Sequence, residues 1–461
     1  MSSPNVRVEK IGGTSMTRFA ECLDNIILRD ANDVYDRVMT VSAYGGVTNA
    51  LLEHKKTGAP GIYKKFADQT EYESALQDLK KQLCDINKNY VECGLDLEVA
   101  DKFIDDRIDG TIEILKSMYR VLASGYVGRD ALLLASREIL ASVGELHSAF
   151  NSANILKNKG YDSTFVDLSG WGDSRELTID ERIADAFKGI DTTKTICFAT
   201  GYTKGTEGIM REFDRGYSEV TFSKIAVILK AKEAIIHKEF HLSSGDPSII
   251  GADHVHPVCH TNFDVADQLA DVGMEAIHPK ASKPLELAGV PIRVKNAFDP
   301  GHEGTLISAD YICPEEKTEM IAGSSKVTCL EVHDSQIVGE VGSDLRIMEV
   351  FRDHGVSYIA KMTNANTIGM VIWEKDCTKA LIRTLQKEFD LVTTRPAAIV
   401  CAIGSNIAKP GVLALAASAL AKSNINILAV AQTPRQTNMQ FVVERYNFND
   451  AQIALHRSLC E

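Results

Sequence analysis

The chain lacks the sequence features of exported, membrane-spanning and nucleic-acid-binding proteins. It has no uninterrupted apolar run of about 18 residues and no basic-then-apolar segment near its start, so nothing predicts membrane insertion or export. Its formal net charge of −13 disfavours nucleic acid or an acidic membrane as the main partner. None of its ten cysteines forms a Cys-x-x-Cys pair, which is typical of free thiols in a reducing compartment. We therefore expect a cytoplasmic protein that binds neither membranes nor nucleic acid.

A metal-binding pattern is also missing, although histidines are frequent in one segment. Residues 237–260 contain His237, His241, His254, His256, Cys259 and His260. Structural zinc sites have two closely spaced pairs of ligands, and these spacings do not provide them. We therefore assign no metal ligands and expect these histidines to form hydrogen bonds or to contact solvent.

The length of 461 residues exceeds what one hydrophobic core supports, so we expect several domains. From residue 7 to about residue 298, short runs rich in Val, Ile, Thr and Phe alternate with runs of helical periodicity. That alternation predicts an α/β fold, with a mostly parallel sheet covered by helices on both faces. The predicted strands are 38–43, 163–168, 195–199, 234–240 and 291–297, and the clearest helices are 130–157 and 221–232.

The most informative segment is 7–16, where a short strand ends in Lys10 and is followed by two glycines. A helix with Phe19, Leu23 and Ile26 at helical spacing follows, and Thr14 or Ser15 is its expected N-cap. Gly12 and Gly13 let a ligand approach the backbone, the helix start offers free N–H groups, and Lys10 adds a full charge. The segment therefore predicts a phosphate site, although an ordinary tight turn between a strand and a helix would have a similar sequence. It is not a Walker loop, because that spacing is absent.

Two further segments carry polar groups to the same kind of position. Residues 41–49 again read as strand, glycines and helix start, and they place Ser42 and Thr48 beside the first loop. Glu145 and Ser148 are three residues apart in a helix, so they share a face, and Gly144 would let a small ligand approach there. Glu145 would receive a cationic amino group, or it is simply a solvated glutamate.

Charged residues follow two later strand-like or loop segments. Arg215, in the segment 213–221, is suited to a substrate carboxylate because its planar fork binds both oxygens. Lys238 and Glu239 end an apolar strand and Asp246 lies in the turn that follows, so these groups would stand over a nucleotide.

The C-terminal third contains an internal repeat at an offset of 69 residues. Each copy reads as turn, amphipathic helix, stop residue, strand, polar loop and strand, with the helices at 344–353 and 412–422. Two such units pair to bury faces that neither covers alone. They would bind a small effector, in the polar loops 362–367 and 432–438, or serve only for dimerisation.

Six motifs, in order along the chain, resemble those of the aspartate kinases of the amino-acid kinase family. They are Lys10-Ile11-Gly12-Gly13-Thr14-Ser15, residues 41–49, Gly144-Glu145, Asp246-Pro247, Ile277-His278-Pro279 and Gly304-Thr305-Leu306-Ile307. The repeat is similar to the paired ACT domains of these enzymes. The resemblance implies a three-layer α/β/α sandwich at 1–310 with a helical insertion at 53–128, then ACT domains at 320–390 and 391–461. It also implies a homodimer or a larger homo-oligomer. In this family the first ACT unit is commonly inserted within the second, so the boundary between the two ACT domains is approximate.

The resemblance also assigns roles by position. It places Lys10 on the transferring phosphates and Gly12, Gly13, Thr14 and Ser15 around them. It predicts that aspartate is bound by Ser42, Thr48, Glu145, Ser148 and Arg215. Among these, Glu145 would contact its amino group and Arg215 its α-carboxylate. Lys238, Glu239 and Asp246 would lie near ATP and its Mg²⁺, and Lys10, Arg215 and Glu219 form the expected catalytic set.

The chain departs from the family pattern at several of these positions. Tyr217 and Glu219 stand where a glycine and an aspartate are typical, and Lys238-Glu239 replaces Thr-Asp. Leu146 replaces an arginine, and Glu275 replaces a lysine, for which Lys238 would compensate. The segments 214–219 and 237–242 resemble instead a divergent subgroup found in ectoine-producing bacteria.

The implied reaction is ATP-dependent phosphorylation of L-aspartate at its β-carboxylate. This step begins the biosynthesis of lysine, threonine and methionine, or of ectoine. A carboxylate is ionised near neutrality and needs no general base, so the site has to neutralise charge on the phosphoryl group. Two other functions stay open, namely a kinase for another carboxylate amino acid and an inactive amino-acid sensor. Segment 356–359 holds no acidic residue, so the resemblance disfavours simple inhibition by lysine.

Overall fold

The computed structural model describes residues 5–54, 57–213, 216–274, 276–338 and 341–461. The chain separates into two compact units. Unit 1 comprises residues 1–241 and 277–304, and unit 2 comprises residues 242–276 and 305–461. None of the helices in the described ranges is both long enough and apolar enough to cross a membrane.

The strands and helices alternate along the first two thirds of the chain, as the sequence predicts. The strands are β1 Arg7–Ile11, β2 Arg37–Val41, β3 Ser163–Val166, β4 Ile196–Thr200, β5 Glu233–Lys238, β6 His260–Asn262, β7 Ile292–Asn296, β8 Thr305–Ser308, β9 Met320–His333, β10 Tyr358–Thr363, β11 Thr367–Trp373, β12 Leu391–Ile403, β13 Ile427–Gln432 and β14 Asn438–Glu444. The helices are α1 Gly13–Thr17, α2 Phe19–Cys22, α3 Val47–Leu51, α4 Ile62–Ala67, α5 Tyr72–Lys88, α6 Leu97–Ala123, α7 Arg129–Asn158, α8 Ile179–Ala186, α9 Ile209–Glu212, α10 Tyr217–Ile228, α11 Pro247–Ile250, α12 Phe263–Asp271, α13 Pro279–Ala288, α14 Ser343–Asp353, α15 Lys379–Glu388, α16 Val412–Lys422 and α17 Phe448–Leu459.

Unit 1 is built on a parallel sheet with the strand order β3-β4-β2-β1-β5-β7. Every residue of β2 and β4 is buried, as expected for parallel strands that are covered on both faces. Helix α7 packs against β2, β3 and β4, and α10 packs against β1, β2 and β5. Helices α4, α5 and α6 fall within the predicted insertion, where α5 and α6 pack against each other. The α/β fold class is confirmed.

A buried ionic network joins the three central strands of unit 1. The guanidinium of Arg37 on β2 binds both oxygens of Glu9 on β1, at 2.6 and 2.9 Å, and His237 on β5 bonds to Glu9 at 2.8 Å. Arg37 also donates to the carbonyls of Ile26 and Ile27. Burial opposes the ionisation of Glu9, but the charge of Arg37 and the bonds from Arg37 and His237 hold its pKa well below the usual value. Glu9 therefore ties β2, β1 and β5 together on one face of the sheet.

In unit 2 the repeat forms a six-stranded antiparallel sheet with the order β10-β11-β9-β12-β14-β13. The long strands β9 and β12 pair along their whole length in the middle of this sheet. One face carries two apolar cores, in which α14 and α15 cover the first repeat and α16 and α17 cover the second. The other face packs around α12, through Val265, Leu269 and Val272. The predicted repeat helices are confirmed, and unit 2 also contains the parallel strand pair β6 and β8.

The histidine-rich segment 237–260 spans the two units. In unit 1, His241 bonds to Asp299 at 2.9 Å in addition to the bond between His237 and Glu9. In unit 2, His260 bonds to Ser308 and His256 bonds to Ser244. Each of these histidines is therefore hydrogen-bonded to a protein side chain.

We predict that Arg37→Met lowers the free energy of unfolding of unit 1 by about 3–5 kcal/mol, because it leaves the Glu9 carboxylate buried without its cation. Urea unfolding followed by Trp171 fluorescence, in a Trp373→Phe background, measures this loss. The control Lys64→Met removes an exposed ion pair with Asp68 and should cost less than about 1 kcal/mol. Equal losses in the two variants would contradict the assigned role of the network.

Candidate active site

The candidate site lies at the carboxyl ends of the central strands of unit 1. Strand β1 has β2 on one side and β5 on the other, so the strand order reverses direction around it. Ligands of open parallel sheets bind at this kind of reversal, beyond the carboxyl ends of the strands. Lys10 lies near the end of β1, Ser42 directly follows β2, and Lys238 is the last residue of β5. The fold therefore places the predicted residues of three separate segments at one edge.

Two lysines share one buried carboxylate at this edge. The Nζ atom of Lys10 lies 3.5 Å from Oε1 of Glu219, and the Nζ atom of Lys238 lies 3.8 Å from the same oxygen. Burial lowers the pKa of Lys10, although the Glu219 carboxylate opposes that shift. Burial likewise favours the neutral form of Glu219, but the charges of Lys10 and Lys238 outweigh it and keep its pKa below the usual value. The three side chains together carry a net positive charge in a largely water-excluded place.

The backbone before α10 determines where Glu219 lies. Gly216 has a φ of 83°, in the left-handed region that glycine adopts without strain, and α10 begins at the next residue, Tyr217. The prediction that this helix spans 221–232 was therefore wrong by four residues at its start. Because of the earlier start, Glu219 falls in the first turn, where its Oε2 accepts the backbone N–H of His278 at 2.8 Å.

Glu145 supplies a second buried carboxylate from the middle of α7. Burial raises its pKa to about 7, even though the Tyr217 hydroxyl and the charge of Lys10 act in the opposite direction. Its Oε2 atom has no hydrogen-bond partner among the described residues. A buried carboxylate in this state gains free energy when a cationic group binds to it. This agrees with the expectation of a site for an amino group and disagrees with a solvated glutamate.

Two glycines allow the elements that carry these residues to pack closely. A Cβ atom on Gly144 of α7 would lie 2.6 Å from Cβ of Ala43, so this glycine provides room for the β2–α3 loop. The interpretation that Gly144 leaves space for a ligand was therefore wrong. Gly201, directly after β4, was not recognised from the sequence. Its Cβ would lie 2.7 Å from Cβ of Ser218 and 3.0 Å from Cγ of Glu145.

Three predicted hydroxyl residues have different surroundings. The Ser42 hydroxyl lies 3.1 Å from that of Ser218, the residue before Glu219. Ser148 is fully buried, and its hydroxyl donates to the backbone carbonyls of Ser42 and Glu145, at 2.9 and 3.1 Å. Thr48 is half-buried in the first turn of α3. Ser148 therefore fixes the positions of Ser42 and α7, while Ser42 and Thr48 are the hydroxyls nearer to solvent.

The first loop differs from the prediction in its helix start. The N-cap of α1 is Gly12, and Thr14 and Ser15 lie inside the helix, so the prediction of a hydroxyl cap was wrong. The extended backbone of Gly12 lets its carbonyl accept the N–H of Met16 at 2.8 Å. A Cβ on Gly13 would lie 3.0 Å from the carbonyl oxygen of Ala43, which shows how closely this loop approaches the loop after β2.

The remaining predicted residues are not all brought to this edge by the described structure. Arg215 and Glu275 lie outside the described residues. Glu239 is half-buried directly after Lys238. Asp246 belongs to unit 2, where its side chain accepts the backbone N–H of Ser248 and caps α11. The sequence also gave no signal for the His278 backbone N–H, because any residue type can supply that group.

Comparisons with known proteins find relatives of this chain over 98% of its length. A model of the amino acid kinase family matches residues 5–296, and a model of the ACT domain matches residues 400–459. Aspartate kinase Ask_Ect of Stutzerimonas stutzeri (strain A1501) is 44% identical over 462 residues, which cover 98% of this chain and 97% of that protein. Aspartokinase 1, chloroplastic, of Arabidopsis thaliana is 24% identical, and the alignment covers 98% of this chain and 80% of that protein.

Solved structures share the fold. The aspartate kinase of Clostridium acetobutylicum has a TM-score of 0.75 at 20% identity, covering 98% of this chain and 100% of that chain. Aspartokinase III of E. coli in complex with aspartate and ADP has a TM-score of 0.73 at 19% identity, covering 99% of this chain and 100% of that chain.

We predict that Glu145→Gln stabilises unit 1 at pH 8, by about 3 kcal/mol, in the absence of ligands. The pKa of Glu145 in the folded chain, about 7, lies above its ordinary value of 4.5, so ionisation at pH 8 destabilises the folded state and the amide removes that cost. The free energy of unfolding of the unmodified chain should therefore fall between pH 4.5 and pH 7, relative to the variant.

Urea unfolding at pH 5 and pH 8 measures this difference, which should shrink below about 1 kcal/mol at pH 5. The control Glu92→Gln, at an exposed position, should show no such pH dependence. A difference that is the same at both pH values would count against a buried, uncompensated Glu145.

Proposed function

The chain belongs to the aspartate kinases of the amino acid kinase family, and from this we infer that it uses ATP to phosphorylate the side-chain carboxylate of L-aspartate. The product is 4-phospho-L-aspartate, which begins the route to lysine, threonine and methionine or to ectoine. The observation that carries the proposal is the pair of lysines, Lys10 and Lys238, on one carboxylate, beside the buried carboxylate of Glu145, whose Oε2 atom has no hydrogen-bond partner among the described residues.

In the proposed reaction, an oxygen of the aspartate β-carboxylate attacks the γ-phosphorus of ATP. The bond between that phosphorus and the β,γ-bridging oxygen breaks, and ADP leaves with the electron pair. The nucleophile is already ionised, so no side chain has to accept a proton. The requirement is instead to bring two anions together and to stabilise charge on the transferring group. We assign this task to Lys10, with the backbone of Gly12, Gly13, Thr14 and Ser15 around the phosphates.

The Glu219 carboxylate would act as a positioning residue. It holds the ammonium groups of Lys10 and Lys238 at 3.5 and 3.8 Å, and it is itself fixed by the His278 backbone N–H. One carboxylate cannot neutralise two lysines, so positive charge remains for the phosphates. The family pattern has a lysine at the position of Glu275 in this chain. The geometry supports the hypothesis that Lys238 provides the positive charge of that missing lysine.

Substrate selection would depend on Glu145, which receives the α-amino group of aspartate. Its raised pKa means that binding of an ammonium group favours the ionised carboxylate and releases a proton at pH values near or below 7. Ser42 and Thr48 would contact the substrate, and Ser148 would hold Ser42 in place through its carbonyl. Arg215 remains our prediction for the α-carboxylate.

Magnesium fits this site as a companion of the nucleotide. Among the described residues, no group of three or more His, Cys, Asp or Glu side chains is arranged to hold a metal ion by itself. Mg²⁺ in kinases is bound by substrate phosphates together with one or two carboxylates, and it neutralises phosphate charge there. Glu239, which directly follows Lys238, would lie near the nucleotide and its Mg²⁺.

The C-terminal repeat would serve assembly and regulation. We propose that an amino-acid effector acts through the ACT domains, and that the chain forms a homodimer through them. All ten cysteines are free thiols, which supports a reducing, cytoplasmic location.

The function is tested by ADP release with aspartate, with glutamate or with no acceptor. We expect release with aspartate to exceed that with glutamate by at least about 100-fold, because one extra methylene misplaces the carboxylate relative to Lys10 when Glu145 holds the amino group. A preference for glutamate would indicate a different carboxylate kinase. Release that does not depend on an acceptor would be ATP hydrolysis and would contradict transfer to an amino acid, whereas absent release would favour an inactive sensor.

We predict that Lys10→Ala lowers kcat by about 100-fold to 1,000-fold, because charge on the transferring phosphoryl group is no longer stabilised. The thermal unfolding midpoint should change little, because Glu219 keeps Lys238 as its partner. Steady-state kinetics and a thermal melt measure the two effects. Lys194→Ala, which removes an exposed lysine, is the matched control and should leave both unchanged. Near-normal turnover of Lys10→Ala would refute the role assigned to Lys10.

A further inference from the structure

Two buried polar residues of the helical insertion contact the elements that carry the candidate site. Asn87 lies in the last turn of α5, and Tyr90 lies in the turn that follows this helix. Neither side chain is exposed to solvent to any useful extent. Their contacts are not confined to the insertion, because each side chain bonds to a part of unit 1 that holds predicted site residues.

Tyr90 is bonded to the end of α1, which belongs to the phosphate loop of residues 12–17. The Tyr90 hydroxyl lies 3.1 Å from the carbonyl oxygen of Met16 and 3.3 Å from that of Thr17, the last two residues of α1. Burial raises the pKa of Tyr90 to about 12, so the hydroxyl keeps its proton and acts as a donor at neutral pH. Tyr90 therefore fixes the end of the helix whose first residues form the predicted phosphate site.

The ring of Tyr90 also contacts the aspartate loop, residues 42–48, which holds the two hydroxyl residues predicted to contact aspartate. It stacks on Tyr44, with ring centroids 5.3 Å apart and an angle of 22° between the planes. The Tyr44 carbonyl accepts the backbone N–H of Val47, the first residue of α3, so the position of Tyr44 determines where that helix begins. A stacked aromatic pair has a preferred geometry as well as a large buried area. One side chain thus touches both loops.

The phosphate loop and the aspartate loop are in direct contact as well. The Thr17 hydroxyl accepts the backbone N–H of Gly45 at 3.0 Å and donates to the Gly13 carbonyl at 3.2 Å. A Cβ atom on Gly45 would overlap the Thr17 hydroxyl, so the close approach requires glycine there. A shift at the end of α1 would therefore change the spacing of the two loops.

Asn87 makes a corresponding contact with α7, the helix that carries Glu145. Its Oδ1 atom lies 2.6 Å from Nε2 of His147 and 2.7 Å from Nδ2 of Asn151, and all three side chains are fully buried. The amide group of Asn87 donates to Asp101 on α6 at 2.8 Å. Asn87 therefore connects two helices of the insertion to α7, two residues along the chain from Glu145.

We propose that Tyr90 is a positioning residue for phosphoryl transfer, which sets the phosphate loop against the aspartate loop while Asn87 holds α7 beside them. This inference rests on the proposed function. Transfer requires the reacting atoms to lie about 3–3.5 Å apart in the correct orientation, and a misplacement of about 1 Å can cost about 100-fold in rate. The Tyr90 hydroxyl is bonded to backbone carbonyls and its ring is packed on Tyr44, so Tyr90 acts through the two loops.

The test is the variant Tyr90→Phe, which removes the bond to α1 and keeps the ring that stacks on Tyr44. We expect kcat with aspartate to fall about tenfold, while the KM values for ATP and aspartate change less than about threefold, because alignment is altered more than the contacts to either substrate. Rates are measured at a temperature at which a thermal melt shows the proteins to be folded. A role in stability alone would lower the melting midpoint and leave kcat of the folded enzyme unchanged.

Tyr119→Phe is the matched control. Tyr119 lies on α6 in the same insertion, and its hydroxyl bonds to the Gln69 side chain at 3.3 Å. This variant also removes one tyrosine hydroxyl from the insertion, and its kcat should equal that of the unmodified chain. An unchanged kcat in Tyr90→Phe, a loss confined to KM, or an equal loss in Tyr119→Phe would overturn the proposal.

Hydrogen exchange without substrates separates this inference from the proposed function. In Tyr90→Phe, backbone amides of residues 13–22 and 42–51 should exchange at least about fivefold faster than in the unmodified chain and in Tyr119→Phe, because both segments lose a shared support. Unchanged exchange in Tyr90→Phe would count against the positioning role whatever the activity. Absence of aspartate-dependent ADP release in the unmodified chain, with the expected change in exchange, would count against the proposed function alone.

Discussion

The attraction of two lysines to one buried carboxylate is the interaction on which the candidate site depends. Lys10 lies near the end of the central strand of unit 1, Lys238 ends its neighbour, and Glu219 lies in the first turn of the helix that packs on both strands. Without Glu219, two ammonium groups would face each other in a place that excludes water, and neither would keep a fixed position. With it, excess positive charge is held ready at the point where the strand order reverses. The ionic network of Glu9, Arg37 and His237 fixes the same strands, and Glu9 and His237 directly precede Lys10 and Lys238 in the sequence.

Much of this arrangement was predictable because it depends on short segments with strong local signals. Strand, glycine and helix start follow one another at Lys10 and at Ser42, and parallel strands bring such ends to the same edge. The repeat of the C-terminal third was predictable as well, because its helices recur at a fixed offset. These signals reside in single segments and do not require knowledge of how segments pack.

What the sequence could not provide are features that arise only when segments meet. Gly144 looks like an opening for a ligand until the loop after β2 is seen to occupy the space beside it. The cap of α1 is a backbone conformation of Gly12, and hydroxyl residues nearby give a misleading signal. The absence of an acid in segment 356–359 disfavours simple inhibition by lysine, yet in the structure Tyr358 and Ile359 line a cavity of unit 2 to which the distant helix α12 contributes Asp271. Side chains contributed by other elements decide such sites.

The shared central strands of unit 2 constrain how its two halves can change. The first part of β9 pairs with the last part of β12, and the last part of β9 pairs with the first part of β12, so each repeat's core includes a half-strand from the other's continuous chain. A cut within β9 or β12 would therefore remove strand residues from the cores of both copies. Once two copies share their central strands in this way, they are inherited as one unit. A mutation in the core of one copy then alters the packing of the other.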